Sequence, residues 1–213
     1  MLINLEELRE IIYKIADSIE ENWQYLTDLD AAIGDGDHGI NMNKGFKEVK
    51  KKLSALEIKD AAEVFKITGM ALVSTVGGAS GPLYGTAFMK AAATSTGKVQ
   101  LGLNDLADIL KAFVEGIKLR GRAEIGDKTM LDVIIPVYEL ITEAAAKDMP
   151  SKEALEKATL LALERVEYTK TIPARKGRAS YLGDRSIGHQ DPGATSSYLM
   201  VKAVYDYITE REG

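Results

Sequence analysis

Residues 34–39 read GDGDHG. Their glycines keep the G-x-G-x-x-G spacing, and the fold turns on how that spacing is read. A dinucleotide-binding turn needs a strand before it and a helix after it, which would make the chain α/β. What precedes is LEELREIIYKIADSIEENWQ (5–24), with Leu5, Leu8, Ile11, Ile12, Ile15 and Ile19 three and four residues apart. That is the apolar stripe of an amphipathic helix, not a strand. Asp35 and Asp37 also set two negative charges where a pyrophosphate would meet backbone amides. An EF-hand fits no better: counted from Asp35, the third ligand position is Gly39 and the required glycine is Ile40.

Outward from this turn the helical period persists. Leu106, Ile109, Leu110, Phe113 and Ile117 repeat it, as do Leu155, Ala158, Ala162 and Val166. Asn4 and Glu7 stand at the spacing of a capping box. The pattern predicts helices over roughly 4–26, 38–53, 59–75, 81–96, 104–120, 129–147, 151–170 and 192–211. No segment alternates convincingly at period two, and no repeat or composition break divides the chain. The expectation is one all-α domain over 1–213.

The totals narrow the function. A net charge of −5 argues against a nucleic-acid-binding surface, which must neutralise phosphates. The absence of cysteine excludes disulfides and thiolate metal sites. There is no secretory h-region at the start and no apolar run of membrane-spanning length, so a cytoplasmic protein is expected.

Four polar inserts interrupt the helices: DLDAAIGDGDHG (28–39), STVGGASGPLYG (74–85), RAEIGDKTMLD (122–132) and TIPARKGRASYLGDRSIGHQDPGA (171–194). In the first, Asp30, Asp35 and Asp37 bring three hard oxygen ligands within eight residues, with glycines that let the chain fold tightly. Three such carboxylates repel one another unless a cation sits among them, and Mg²⁺ accepts carboxylates while leaving positions for phosphate oxygens. The other reading is a solvated acidic loop in which Asp37 caps the next helix. Spacing alone leaves both open, and Asp28 is set apart from the trio.

In the second insert, Gly77, Gly78 and Gly81 with Ser80 and Pro82 suggest a helix start whose free amides suit an anion, although close packing through small residues explains it equally. The fourth carries Arg175, Lys176, Arg178 and Arg185 in an otherwise acidic protein, and arginine suits phosphate. Asp191 and Pro192 are expected at N-cap and N1 of the last helix. The two histidines, His38 and His189, lie in these inserts and are candidates for base, ligand or phosphoryl carrier, or for plain hydrogen-bonding groups.

Taken together, IGDGDHGINMNKGF, TVGGASGPLYGT, GDKTMLDV and ARKGRASYLGDRSIGHQDPGATS closely resemble the nucleotide-binding L subunits of bacterial dihydroxyacetone kinases. The resemblance covers essentially the whole chain. It implies a barrel-like bundle of eight antiparallel amphipathic helices with the nucleotide site in loops at one end. It further implies ADP or ATP with two Mg²⁺ ions, and Asp30, Asp35 and Asp37 as metal ligands. By the same resemblance His38, Gly39, Ile40, Asn41, Ala79 and Ser80 contact phosphates, and Gly121 and Met130 lie near base and ribose. Arg178, Asp191, Pro192 and Gly193 belong to the closing loop, with Arg178 as the catalytic charge-stabiliser. The implied partners are a K subunit holding dihydroxyacetone and a phosphocarrier M subunit of the phosphoenolpyruvate-dependent phosphotransferase system. The implied alternatives are a subunit that uses exchanging ATP and a nucleotide-state sensor for a regulator.

Overall fold

The computed structural model describes residues 2–212; residues 1 and 213 of the expected domain lie outside the described residues. Among the described residues nine α-helices follow one another: α1 (Leu5–Glu21), α2 (Trp23–Ile33), α3 (His38–Ser54), α4 (Ala61–Thr75), α5 (Ser80–Thr94), α6 (Leu103–Gly121), α7 (Leu131–Ala146), α8 (Ser151–Thr169) and α9 (Pro192–Glu212). A 3-10 helix at Arg178–Ser186, kinked at Gly183, orders much of the insert that reads as irregular in sequence. The only sheet among the described residues is the two-residue pair Ile3–Asn4 and Gln100–Leu101, antiparallel.

The expected first helix, 4–26, is two helices. It starts as predicted, with Asn4 Oδ1 accepting from Glu7 N at 3.0 Å and Glu7 Oε2 accepting from Asn4 N at 2.7 Å. It breaks at Asn22, whose backbone leaves the helical region at φ −107° and ψ 9° and whose side-chain amide joins its own N–H on the Ser18 carbonyl, at 2.8 and 3.2 Å. Helix α2 then runs on to Ile33, so the expected connection 28–39 shrinks to four residues. Pattern alone does not reveal this, because an Asn can sit in a helix or end one.

Eight helices close a ring. Each of α3 to α8 packs on its successor, and α9 returns to α1, which packs on α3. Helix α2 lies against α3 and α9 beside the ring. The eight-helix bundle is therefore as expected, with α2 added. Glycines set the closest approach: a Cβ on Gly69 would come within 2.8 Å of the Gly85 carbonyl, locking α4 against α5. Inside is a cavity of about 160 Å³ lined by apolar side chains such as Ile12, Ile15, Phe65 and Met200. Phe88 meets Phe113 edge-on there, with centroids 4.7 Å apart.

Alternation explains where the polar inserts lie. In an up-and-down ring, connections separated by two helices fall at the same end. The α2–α3, α4–α5, α6–α7 and α8–α9 connections are the four inserts, and residues of all four line one cavity. No described helix is long and apolar enough to cross a membrane.

Candidate functional site

Asp30 sits on the last turn of α2 and is buried. Its Oδ2 accepts from Asp37 N at 2.9 Å and from His38 N at 3.2 Å. Asp30 therefore caps α3 from another helix, satisfying amides that a helix start leaves free. Asp37, the residue at the N-cap position, makes no side-chain cap bond of its own. The reading in which Asp37 caps α3 is thus replaced. Its carboxylate instead joins one oxygen each from Asp30 and Asp35, all within 4.8 Å of one another. Burial, followed by repulsion from Asp35, raises the Asp37 pKa, while a hydrogen bond from Asn41 opposes the shift. Three converging hard oxygens that repel one another match what a divalent cation requires. Gly36, at φ 71°, makes the turn that brings Asp35 and Asp37 round, in a backbone region that favours glycine. Asp28 stands apart, accepting from Gln24 at 2.9 Å.

The acids open on a cavity of about 400 Å³. Its lining holds His38, Ala79, Ser80, Gly121, Met130, Arg178, Asp191, Pro192 and Gly193 together with the three aspartates. The first turns of α3, α5 and α9 thus reach one space, and each offers amides and the positive end of a helix dipole to an anion. Gly39, Ile40 and Asn41 are outside the lining. Gly39 faces α2, where a Cβ would overlap the Trp23 carbonyl. Ile40 is exposed, and Asn41 turns its amide towards Asp37 and Gly77. Arg120, Lys128 and Lys176 line the cavity although the resemblance did not single them out. Lys176 had a signal, as one of the four cations of its loop. Arg120 and Lys128 had only positive charge beside a glycine turn.

His38 is buried with both ring nitrogens engaged. Nδ1 lies 2.8 Å from Ser80 Oγ and Nε2 lies 3.0 Å from Ser196 Oγ. Ser196 Oγ is 2.8 Å from Tyr84 OH, which donates to the Gly193 carbonyl at 3.0 Å. One network thus ties the starts of α3, α5 and α9. Burial lowers the His38 pKa to about 4 against the pull of Asp30, so the ring is neutral at pH 7. A neutral imidazole with both nitrogens bonded inside the protein serves as a structural hub. His189 is exposed and outside the cavity lining.

At the start of α9, Asp191 and Pro192 take the expected N-cap and N1 places, with Ala194 N donating to Asp191 Oδ2 at 2.7 Å. Burial raises the Asp191 pKa to about 7, opposed by that bond. Across the cavity, Arg178 Nε bonds Asp35 Oδ2 at 2.7 Å. Arginine donates from a planar fork, so its two terminal nitrogens remain for a phosphate beside the acids.

A family model described as the DAK2 domain matches residues 32–206. The chain belongs to the DAK2 domain family. Among its relatives, the Escherichia coli (strain K12) protein named "PEP-dependent dihydroxyacetone kinase, ADP-binding subunit DhaL" is 45% identical over 202 residues, covering 95% of this chain and 96% of that one. A Listeria innocua counterpart, "PEP-dependent dihydroxyacetone kinase 1, ADP-binding subunit DhaL", is 47% identical and covers 87% and 88%. The Lactococcus lactis "PTS-dependent dihydroxyacetone kinase, ADP-binding subunit DhaL" is 39% identical and covers 97% and 100%. In fold, the DAK2 chain matches the dihydroxyacetone kinase of C. freundii, solved in complex with AMP-PNP and Mg²⁺, at a TM-score of 0.70 and 24% identity. The match covers 97% of this chain and 34% of that one, so this chain spans about a third of that kinase's length.

Proposed function

We propose that this chain, as one domain over 1–213, is the ADP-binding subunit of a phosphoenolpyruvate-dependent dihydroxyacetone kinase in the cytoplasm. In this reading bound ADP accepts a phosphoryl group from a phosphocarrier M subunit and passes it to dihydroxyacetone held on a K subunit. The observation that carries the reading is the trio of carboxylate oxygens within 4.8 Å, at a cavity reached by three helix starts. Its support from kinship is that three relatives matching nearly end to end bear the name ADP-binding subunit.

Asp30, Asp35 and Asp37 would hold two Mg²⁺ ions, whose charge would neutralise the phosphates. The starts of α5 and α9 direct amides at the phosphate oxygens, and Gly121 and Met130 wall the base and ribose. Arg178 offers its terminal nitrogens to charge on the transferring group. Positioning and electrostatics make up most of phosphoryl-transfer catalysis, and this chain supplies no general base.

The test mixes purified protein with K subunit, dihydroxyacetone and one equivalent of ATP. A single turnover of product, with ADP afterwards retained and slow to exchange, is expected. No product despite K-subunit binding favours a nucleotide-state sensor, and fast exchange with free ATP favours an ATP-consuming kinase. Arg178→Ala is expected to slow transfer by about a hundredfold or more while changing ADP affinity much less.

A further inference from the structure

Lys128 is the largest charged side chain in the protein interior, 1% exposed, and the phosphoryl-transfer scheme leaves it without a role. Its backbone stands at φ 59°, a left-handed conformation that lysine rarely adopts. Two contacts from one residue hold it there. Asp132, fully buried, accepts from Gly126 N through Oδ1 at 2.6 Å and from Thr129 N through Oδ2 at 2.8 Å, closing the turn on both sides of Lys128. Asp132 is fixed in turn by Arg165, whose Nε donates to the Asp132 carbonyl at 3.0 Å. That carbonyl is free because Pro136, four residues on in α7, has no N–H to offer it.

The strained turn sends the lysine across to the basic loop. Nζ donates to the Ser186 carbonyl at 2.5 Å and to the Ile172 carbonyl at 3.2 Å. These two residues are the two ends of the segment that carries Arg175, Lys176 and Arg178. Ser186 completes the neck, since its Oγ accepts from Ala174 N at 2.7 Å and donates to the Gly183 carbonyl at 2.6 Å. From this neck the 3-10 helix begins at Arg178, which reaches Asp35 at 2.7 Å. An apolar side chain would remove a donor from both carbonyls, leaving that of Ser186 only the His189 N–H at 3.3 Å.

We propose that Lys128 is a positioning residue: its ammonium clasps the two ends of the 172–186 loop and thereby sets Arg178 over the acidic cluster. Burial lowers the Lys128 pKa, and the charge of the nearby Asp191 opposes this. The assignment to the transfer step rests on the kinase reading above; the clasp itself does not.

Two measurements separate them. In the first, amide hydrogen exchange of residues 172–188 is compared between the full chain and Lys128→Met, without nucleotide. Faster exchange confined to that segment is expected; unchanged exchange overturns the clasp whatever the protein catalyses. In the second, single-turnover transfer is measured with partner subunits for Lys128→Met, Arg178→Ala and the double variant. Lys128→Met is expected to slow transfer about tenfold to a hundredfold, the cost of misplacing a reacting group, with ADP affinity changed much less. In the Arg178→Ala background it is expected to slow transfer no further, because it acts through Arg178. Additive slowing overturns the positioning role. Wild-type protein that transfers nothing overturns the kinase reading, and the exchange result then decides the clasp alone. Should Lys128→Met fail to fold by circular dichroism, Lys128→Gln, which keeps N–H donors on a shorter arm, takes its place in both measurements.

Discussion

The two ends of one set of helices obey different rules. The inside of the ring is a space of about 160 Å³ in which Ile12, Ile15, Phe65 and Phe88 meet others of their kind. At the end of the ring is a cavity of about 400 Å³ where aspartates, arginines and helix starts converge. In the interior what matters is volume and apolarity, so many side chains can substitute for one another. At the end what matters is which atom of which residue lies within hydrogen-bonding reach. Asp30 shows the contrast within a single carboxylate: Oδ2 holds the start of α3, which makes it structural, and its membership of the trio makes it a ligand candidate. Stability and binding should therefore respond to different substitutions.

The largest effect expected is on the interior side of that division. Phe88→Ala removes a buried ring that stacks edge-on with Phe113, and should cost about 3–5 kcal/mol in urea unfolding. If ADP affinity in the folded variant fell by as large a factor, the two regions would not be separable.

Next come the buried titrating groups at the polar end. Asp191 is raised from its unfolded value to about 7, so the folded protein holds a proton that the unfolded chain has released. The stability it contributes is complete below about pH 4 and is lost as pH rises towards 7. His38 is lowered to about 4, so its contribution runs the other way and is lost as pH falls from 6.5 to 4. The two oppose each other, and the nucleotide-free protein should show a shallow profile over that range. Asp191→Asn keeps the cap and leaves His38 unopposed, so stability should then climb by about 3 kcal/mol from pH 4 to 6.5. A profile that stays flat in this variant contradicts the assignment.

Smaller in free energy, though decisive for function, is the loss of a carboxylate that caps nothing. Asp35→Ala should weaken Mg²⁺-dependent ADP binding by about a hundredfold or more by calorimetry, while leaving helicity intact. Unchanged affinity would reduce the trio to a solvated acidic turn, and a large drop in unfolding midpoint would erase the distinction between the two ends.

Much of this was legible in the linear pattern. The stripes at three and four, the Asn4–Glu7 box, the Asp191–Pro192 start and the grouping of Asp30, Asp35 and Asp37 all depend on neighbours within eight residues. Such short-range spacing fixes which side chains share a face or a turn. What the pattern hid lies in pairs far apart along the chain. Lys128 meets Ser186 58 residues away, and His38 meets Ser196 across 158. The Asn22 break, with α2 added beside the ring, was hidden for another reason, since asparagine suits a helix end and tolerates a helix interior.

By itself the sequence determined that the chain would be helical, which faces would turn inward, and that four polar, glycine-bearing inserts would interrupt the helices, because periodicity and capping are local. Only the closed ring decided that those inserts share one cavity. It also decided that Asp30 rather than Asp37 caps α3, that His38 is a hub, and that Lys128 spans to the basic loop. Those outcomes rest on which buried donor lies nearest which acceptor, and that is settled only when distant helices pack.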